Sequence, residues 1–180
     1  MMSELSPVLT KLKQRFPGDV VSTSSWRGDD TAVIKREAIY RVLEFCKDDP
    51  DLAFNFLMDL SGVDYLTYPK AQPARFAVAY HLYSLSKNHR VRLKVFANAN
   101  EEIESACPLW KSANWMEREV FDQFGLKFKN HPNLKRILNH QEFVGHPLRK
   151  DYPMRKRQPL GTVDSLMDEM EKRLKAKGLR

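Results

Sequence analysis

The side chains that could do chemistry crowd into one stretch, WMEREVFDQFGLKFKNHPNLKRILNHQEFVGHPLRKDYP, residues 115–153. Glu117 and Glu119 flank Arg118, Asp122 follows, and His131, His140 and His146 lead to Arg149-Lys150-Asp151-Tyr152. Carboxylates in pairs are the raw material of general acid–base catalysis, and histidines serve as proton shuttles or metal ligands. Neither pattern is completed here. Glu117 has no nucleophile or polar cleft implied beside it, and the chain has no Gly-rich phosphate loop or nucleophile elbow. Histidine spacings of nine and six with no nearby cysteine match no ligand pattern, and Cys46 and Cys107 are too few and too scattered for a zinc or iron–sulfur site. They read as two thiols in a reducing compartment rather than a disulfide. The sequence therefore assigns no catalytic, cofactor-binding or metal-ligating residue.

The same residues have structural readings. Asn114 stands three before Glu117, the spacing of a capping box, and Gly125 can take the left-handed conformation that closes a helix. A helix of ten residues fits between them, with Val120, Phe121 and Phe124 as its apolar stripe and Arg118 and Asp122 spaced i,i+4 to pair. Glu117 is on this reading a cap.

After Gly125 helical periodicity stops. Pro132, Pro147, Pro153 and Pro159 forbid long helices and bias the residue before each toward extended backbone. A histidine before proline, as at His131 and His146, commonly donates to a backbone carbonyl. Leu134, Ile137, Leu138 and the aromatics of this segment have no place on a solvated tail, so it should cover a surface. Charge points the same way: residues 1–124 hold 16 Lys+Arg against 17 Asp+Glu, and residues 125–180 hold 14 against 6. A near-neutral domain with a basic extension calls for an acidic partner, which could be nucleic acid, lipid headgroups or protein. No nucleic-acid recognition motif accompanies the basic residues, and they follow no helical stripe.

The elements that must position this segment are legible upstream. Ser6-Pro7 opens a short helix carrying Val8, Leu9, Leu12 and Phe16. Val20–Thr23 and Ala32–Ile34 are β-favouring around an Arg27-Gly28-Asp29-Asp30 turn. Residues 36–47 put Ile39, Val42, Leu43 and Cys46 on one helical face, and Leu52 to Leu60 reads as a buried strand. Phe76, Val78, Tyr80 and Leu82 alternate, as do Val91, Leu93 and Val95, which predicts a hairpin. A last helix over about 163–177 would place Val163, Met167, Met170 and Leu174 in one stripe, with Asp168/Lys172, Glu169/Arg173 and Glu171/Lys175 as i,i+4 pairs. The expected fold is α+β: a two-layer domain over 1–125 with a mostly antiparallel sheet and helices on one face, an extended basic strap over 126–160, and a C-terminal amphipathic helix over 161–180. No apolar run approaches the roughly 20 residues of a transmembrane helix, and the first residues do not resemble a signal peptide.

Three blocks carry a family resemblance: Glu117-Arg118-Glu119-Val120-Phe121-Asp122-Gln123-Phe124-Gly125, then His131-Pro132-Asn133-Leu134-Lys135-Arg136-Ile137-Leu138, then Gly145-His146-Pro147-Leu148-Arg149-Lys150-Asp151-Tyr152-Pro153. In order and spacing they resemble the C-type subunit, also called the 30 kDa-type subunit, of the proton-translocating NADH:quinone oxidoreductase, respiratory complex I. Weaker similarity includes Leu60-Ser61-Gly62-Val63-Asp64 and the 76–96 hairpin and covers roughly residues 5–155. Gln123 replaces a usual aliphatic residue, and Asn130 a frequent glycine whose left-handed backbone asparagine tolerates. The helix after Gly161 lies outside the shared blocks.

The resemblance implies a peripheral-arm subunit that binds no flavin, nucleotide, cluster or metal itself, in a complex that uses FMN, iron–sulfur clusters, NADH and quinone. It implies no independent catalysis, and docking onto the quinone-site (D-type) subunit and neighbouring peripheral-arm subunits. Membrane contact would come only through the complex, on the cytoplasmic side of the inner membrane or the matrix side in a mitochondrion. The residues it marks for signature and docking are Glu117, Arg118, Glu119, Asp122, Gly125, His131, Pro132, Arg136, His146, Pro147, Arg149, Lys150, Asp151 and Tyr152. Related membrane-bound hydrogenases and ferredoxin- or F420-dependent dehydrogenases have equivalent subunits of similar appearance.

Overall fold

The computed structural model describes residues 6–156, 158 and 161–178, with the side chains of 161–165 excepted. The predicted Val163 contact lies outside that set. Helix α1 (Pro7–Arg15) starts as its sequence demands, with the Ser6 hydroxyl accepting the Leu9 N–H at 3.3 Å and proline in the first turn. Strands β1 (Val20–Trp26) and β2 (Asp29–Ile34) form a hairpin. Its turn needs positive φ at both Arg27 (53°) and Gly28 (83°), the geometry that matches strand twist. A 3-10 turn at Arg36–Ala38 leads into α2 (Ile39–Asp48), whose buried face is Ile39, Val42, Leu43 and Cys46, as its periodicity predicts.

Strand β3 is displaced from the expected one. It runs Phe56–Asp64, while Leu52 and Phe54 enter the core from the preceding loop, where Ala53 takes φ 45°. It is an edge strand with one exposed face, not a buried one; apolar content alone could not separate core-filling loop residues from strand residues. Strands β4 (Phe76–Ser84) and β5 (His89–Ala97) form the expected hairpin in continuous register. The five-stranded sheet has the order β1-β2-β5-β4-β3, antiparallel except for the β2–β5 pair. Val91, Leu93 and Val95 face the core shared with α1 and α2, and Arg90, Arg92 and Lys94 face away from it.

Helix α3 (Ala113–Phe124) crosses β3, and the close approach is set by Gly62. A β-carbon there would lie 2.6 Å from the Phe124 ring. The core does not divide at Gly125, because Leu126 and Phe128 belong to it and β7 (Lys127–Lys129) pairs in parallel with β6 (Glu102–Glu104). Helix α4 (Gly161–Ala176) carries two of the three predicted pairs, Arg173–Glu169 at 3.6 Å and Lys175–Glu171 at 3.5 Å. Among the described residues no helix is long and apolar enough to cross a membrane.

Candidate functional site: a polar clamp at the end of α3

An α-helix leaves its last four carbonyls without intrahelical donors. In α3 every one is met. Gly125, at φ 75° and ψ 20° as predicted, returns its N–H to the Phe121 carbonyl at 2.8 Å. The Asp122 carbonyl accepts from His146 Nδ1 at 2.9 Å and Arg136 at 3.2 Å, that of Gln123 from the Leu148 N–H at 3.1 Å, and that of Phe124 from Arg149 Nε at 2.6 Å. The cations thus sit at the negative end of the helix, where they are favoured. Gly125 permits the approach, since a β-carbon there would fall 2.5 Å from Arg149 Nη2.

Asp122 is the hub. Its side chain is fully enclosed and receives three consecutive backbone N–H groups, those of Ile137, Leu138 and Asn139 at 3.1, 2.9 and 2.8 Å. The Asn139 amide adds 3.0 Å and Arg136 Nη1 an ion pair at 2.6 Å. Arg136 spends its other amino group on the Phe143 and Gly145 carbonyls, both at 2.9 Å. Burial pushes the Asp122 carboxyl up, but the Asn139 N–H and the Arg136 guanidinium outweigh it and hold the group well below the carboxylate range.

A second anchor lies at the other end of the strap. Arg75 forks onto Asp64 at 3.1 and 2.9 Å and onto Asp151 at 2.9 and 2.7 Å, and the Lys150 N–H reaches Asp64 at 2.9 Å. Against burial, the Arg75 contact and the Lys150 and Leu66 N–H groups keep the enclosed Asp64 carboxyl low. Arg75 and Arg149 lie over the Phe76 ring at 4.7 and 5.3 Å, and Tyr152 stacks on Phe143 at 5.9 Å.

Three expectations at the start of α3 need correction. The helix begins at Ala113, so Asn114 lies inside its first turn and forms no capping box with Glu117. Glu117 instead is completely buried and accepts from Ser105 Oγ at 2.7 Å, the Ala106 N–H at 2.6 Å and Cys107 Sγ at 3.5 Å; burial without a cation pushes its carboxyl up to about 7. Arg118 does not pair with Asp122: it donates to the Lys135 and Arg136 carbonyls, both at 3.0 Å. The i,i+4 rule describes an isolated helix, and here a strap of chain with better-placed acceptors and donors takes both partners.

Of the remaining marked residues, His131 Nε2 donates to the Asn114 carbonyl at 3.1 Å, so both His-Pro pairs use their imidazole as expected. Glu119, Pro132 and Lys150 present exposed side chains, and Pro147 is half-buried. Asp151 and Arg149, expected to face a partner, are engaged within their own chain. So is Arg136, one of the basic residues behind the nucleic-acid reading. Sequence reasoning missed Arg75 and gave Asp64 no role; the only signal was the Leu60-Ser61-Gly62-Val63-Asp64 similarity, which marked the strand without its partner.

The strap is inverted relative to ordinary surface chain. Arg136, Asn139, His146 and Arg149 turn inward onto α3, whereas Leu138 and Val144 are each 67% exposed, Leu148 52% and Met154 99%. Among the described residues the clamp brings together no nucleophile with a base; it can hold a shape and present an apolar face.

Comparison with known proteins gives this geometry its context. The family model for the respiratory-chain NADH dehydrogenase 30 kDa subunit matches residues 32–158, a span that contains the whole clamp. The chain is 47% identical over 154 residues to the C-type subunit of an NADH-quinone oxidoreductase from Citrifermentans bemidjiense, covering 85% of this chain and 92% of that protein. It is 40% identical over 178 residues to the corresponding C-type subunit from Burkholderia multivorans, covering 97% of this chain and 86% of that one, so the likeness extends to the terminal helix. The solved trypsin-resistant fragment of Nqo5 superposes with a TM-score of 0.63 at 36% identity, covering 71% of this chain and 96% of the fragment.

Proposed function

The chain belongs to the 30 kDa subunit family of respiratory-chain NADH dehydrogenases, and from that premise we propose that it is a positioning subunit of an NADH:quinone oxidoreductase. The observation that carries the reading is the inverted strap. A contiguous segment that uses its charges to lock onto its own domain, and leaves Leu138, Val144, Leu148 and Met154 outside, is built to be covered by another protein surface.

The partner we assign to that face is the quinone-site subunit, with adjacent peripheral-arm subunits around it. The FMN, the iron–sulfur clusters and the quinone site belong to those other chains, as does coupling of electron transfer to proton translocation. This chain supplies no redox group and has no turnover alone. It meets the membrane only through the complex, on the cytoplasmic side in a bacterium. Its contribution is rigidity: four capped carbonyls and two buried arginine–carboxylate anchors fix the strap so that little ordering entropy remains to be lost on docking.

Affinity purification of a tagged full-length chain from its own host, with mass spectrometry of what co-elutes, tests the assignment. Recovery of the quinone-site subunit with other NADH:quinone oxidoreductase subunits is expected. Recovery with hydrogenase or F420-dependent dehydrogenase subunits instead, or of the chain alone, would contradict it.

A further inference from the structure

The N-terminal half of α3 holds an arrangement that the clamp does not use. Asp64 and Asp122, both enclosed, each carry an arginine. Glu117 is equally enclosed, yet among the described residues no lysine or arginine stands within ion-pair distance of it. Its three donors, Ser105 Oγ, the Ala106 N–H and Cys107 Sγ, are all neutral. A buried carboxylate with no cation is costly, and a bound cation is one of the few ways to compensate it.

What stands beside Glu117 is a ligand set. One atom each from Cys107, Glu117 and His131 lie within 4.8 Å of one another. Thiolate, imidazole and carboxylate together suit a zinc-type ion, for which three protein ligands and one open position are a common arrangement. Ligand–metal bonds of about 2.0–2.3 Å require ligand atoms roughly 3.3–3.8 Å apart around a tetrahedral centre. Cys107 and His131 lie outside regular secondary structure and are half-buried, so they can close that gap and leave a path for the ion, while Glu117 is held in place from α3. The supporting contacts are present as well. Ser105 Oγ and the Ala106 N–H orient the carboxylate, and the Asn114 carbonyl holds the His131 ring through Nε2 at 3.1 Å.

We propose that Cys107, Glu117 and His131 form a site for one divalent zinc-type ion, with its fourth position open to solvent. On binding, the Cys107 thiol releases its proton to solvent and the sulfur takes the metal. His131 Nδ1 gives up the Asn133 N–H for the ion, and Nε2–H keeps its bond to the Asn114 carbonyl. The ion ties the 105–107 loop, α3 and the first turn of the strap together at the end opposite the Asp122 hub. This site was not legible in the histidine spacing, because His140 and His146 take no part in it and its members are ten and fourteen residues apart.

The test is a cobalt titration of the chelator-treated full-length chain, since Co2+ reports a bound thiolate by a ligand-to-metal charge-transfer band. Wild type should develop that band with saturation at one equivalent, and Zn2+ should abolish it by competition. Cys107→Ser should lose the band, His131→Ala should weaken binding about tenfold or more, and Cys46→Ser should leave it unchanged. Circular dichroism shows whether each variant is folded. If Cys107→Ser does not fold, the comparison of wild type with His131→Ala decides. No charge-transfer band in wild type, or a band that survives in folded Cys107→Ser or is unaffected in His131→Ala, would overturn the proposal.

Discussion

Asp122 concentrates more of the clamp than any other side chain, and its substitution separates charge from shape. Asp122→Asn keeps the volume but leaves Arg136 paired with a neutral amide in a site that is only 16% exposed at the arginine. Loss of one partner of a buried pair costs about 3–5 kcal/mol, measurable as a fall in the denaturation midpoint. The pH dependence follows from sign. The folded-state carboxyl lies below its ordinary 3.8, so the pairing contributes stability that is fully present above that value and is lost as pH falls below it. Wild type should therefore lose stability steeply on acidification below about pH 4, and Asp122→Asn should show a shallower decline over the same range. At the second anchor, Asp64→Asn should destabilise clearly, whereas Asp151→Ala, half exposed on the outer prong of Arg75, should change stability little. Neither arginine partner was readable from spacing. Arg136 lies fourteen residues after Asp122 and Arg75 eleven after Asp64, separations that only the folded path of the strap and the β3–β4 pairing bring together.

The elements that could be read were those whose period matches a face. The β4–β5 hairpin alternates and is found, and α2 shows its stripe in the residues it buries. The parallel β2–β5 contact had no local signal, because it depends on a crossover through α2, β3 and β4. Strands β6 and β7 are three residues each, too short for any period to register. Gly125 was legible as a helix end, but its second reason was not: it also makes room for His146 and Arg149. Gly62 works the same way at the α3–β3 crossing. Gly62→Ala would press a methyl group into the Phe124 ring and should cost about 1–3 kcal/mol by overpacking, seen as a lower melting temperature. Enlarging the crossing residue should not alter the far hairpin, so hydrogen exchange in β1 and β2 should slow or quicken only with global stability. A chain ending at Gly125 would remove Leu126 and Phe128 from the core and leave Asp122 without Arg136. That truncation should not fold independently, and circular dichroism with a flat thermal melt would show it.

At the scale of the molecule, the strap within the basic extension has two faces, with Arg136 and Arg149 turned inward and its lysines left outside. The inner one holds the strap to its own domain through arginines, and the outer one is apolar at Leu138, Val144 and Leu148. The need for a partner was legible, because hydrophobic side chains on a proline-punctuated segment have to be covered. Which residues meet that partner was not, since a sequence does not show which way a side chain turns. The most direct test of the account is therefore retention of the quinone-site subunit by co-expressed full-length variants, measured after salt washes. Leu138→Ser/Val144→Ser/Leu148→Ser should keep the wild-type melting temperature, because these side chains already face solvent, and should lose most of the bound partner, on the order of tenfold or more. Retention of the partner at the wild-type level by this folded triple variant would contradict the account.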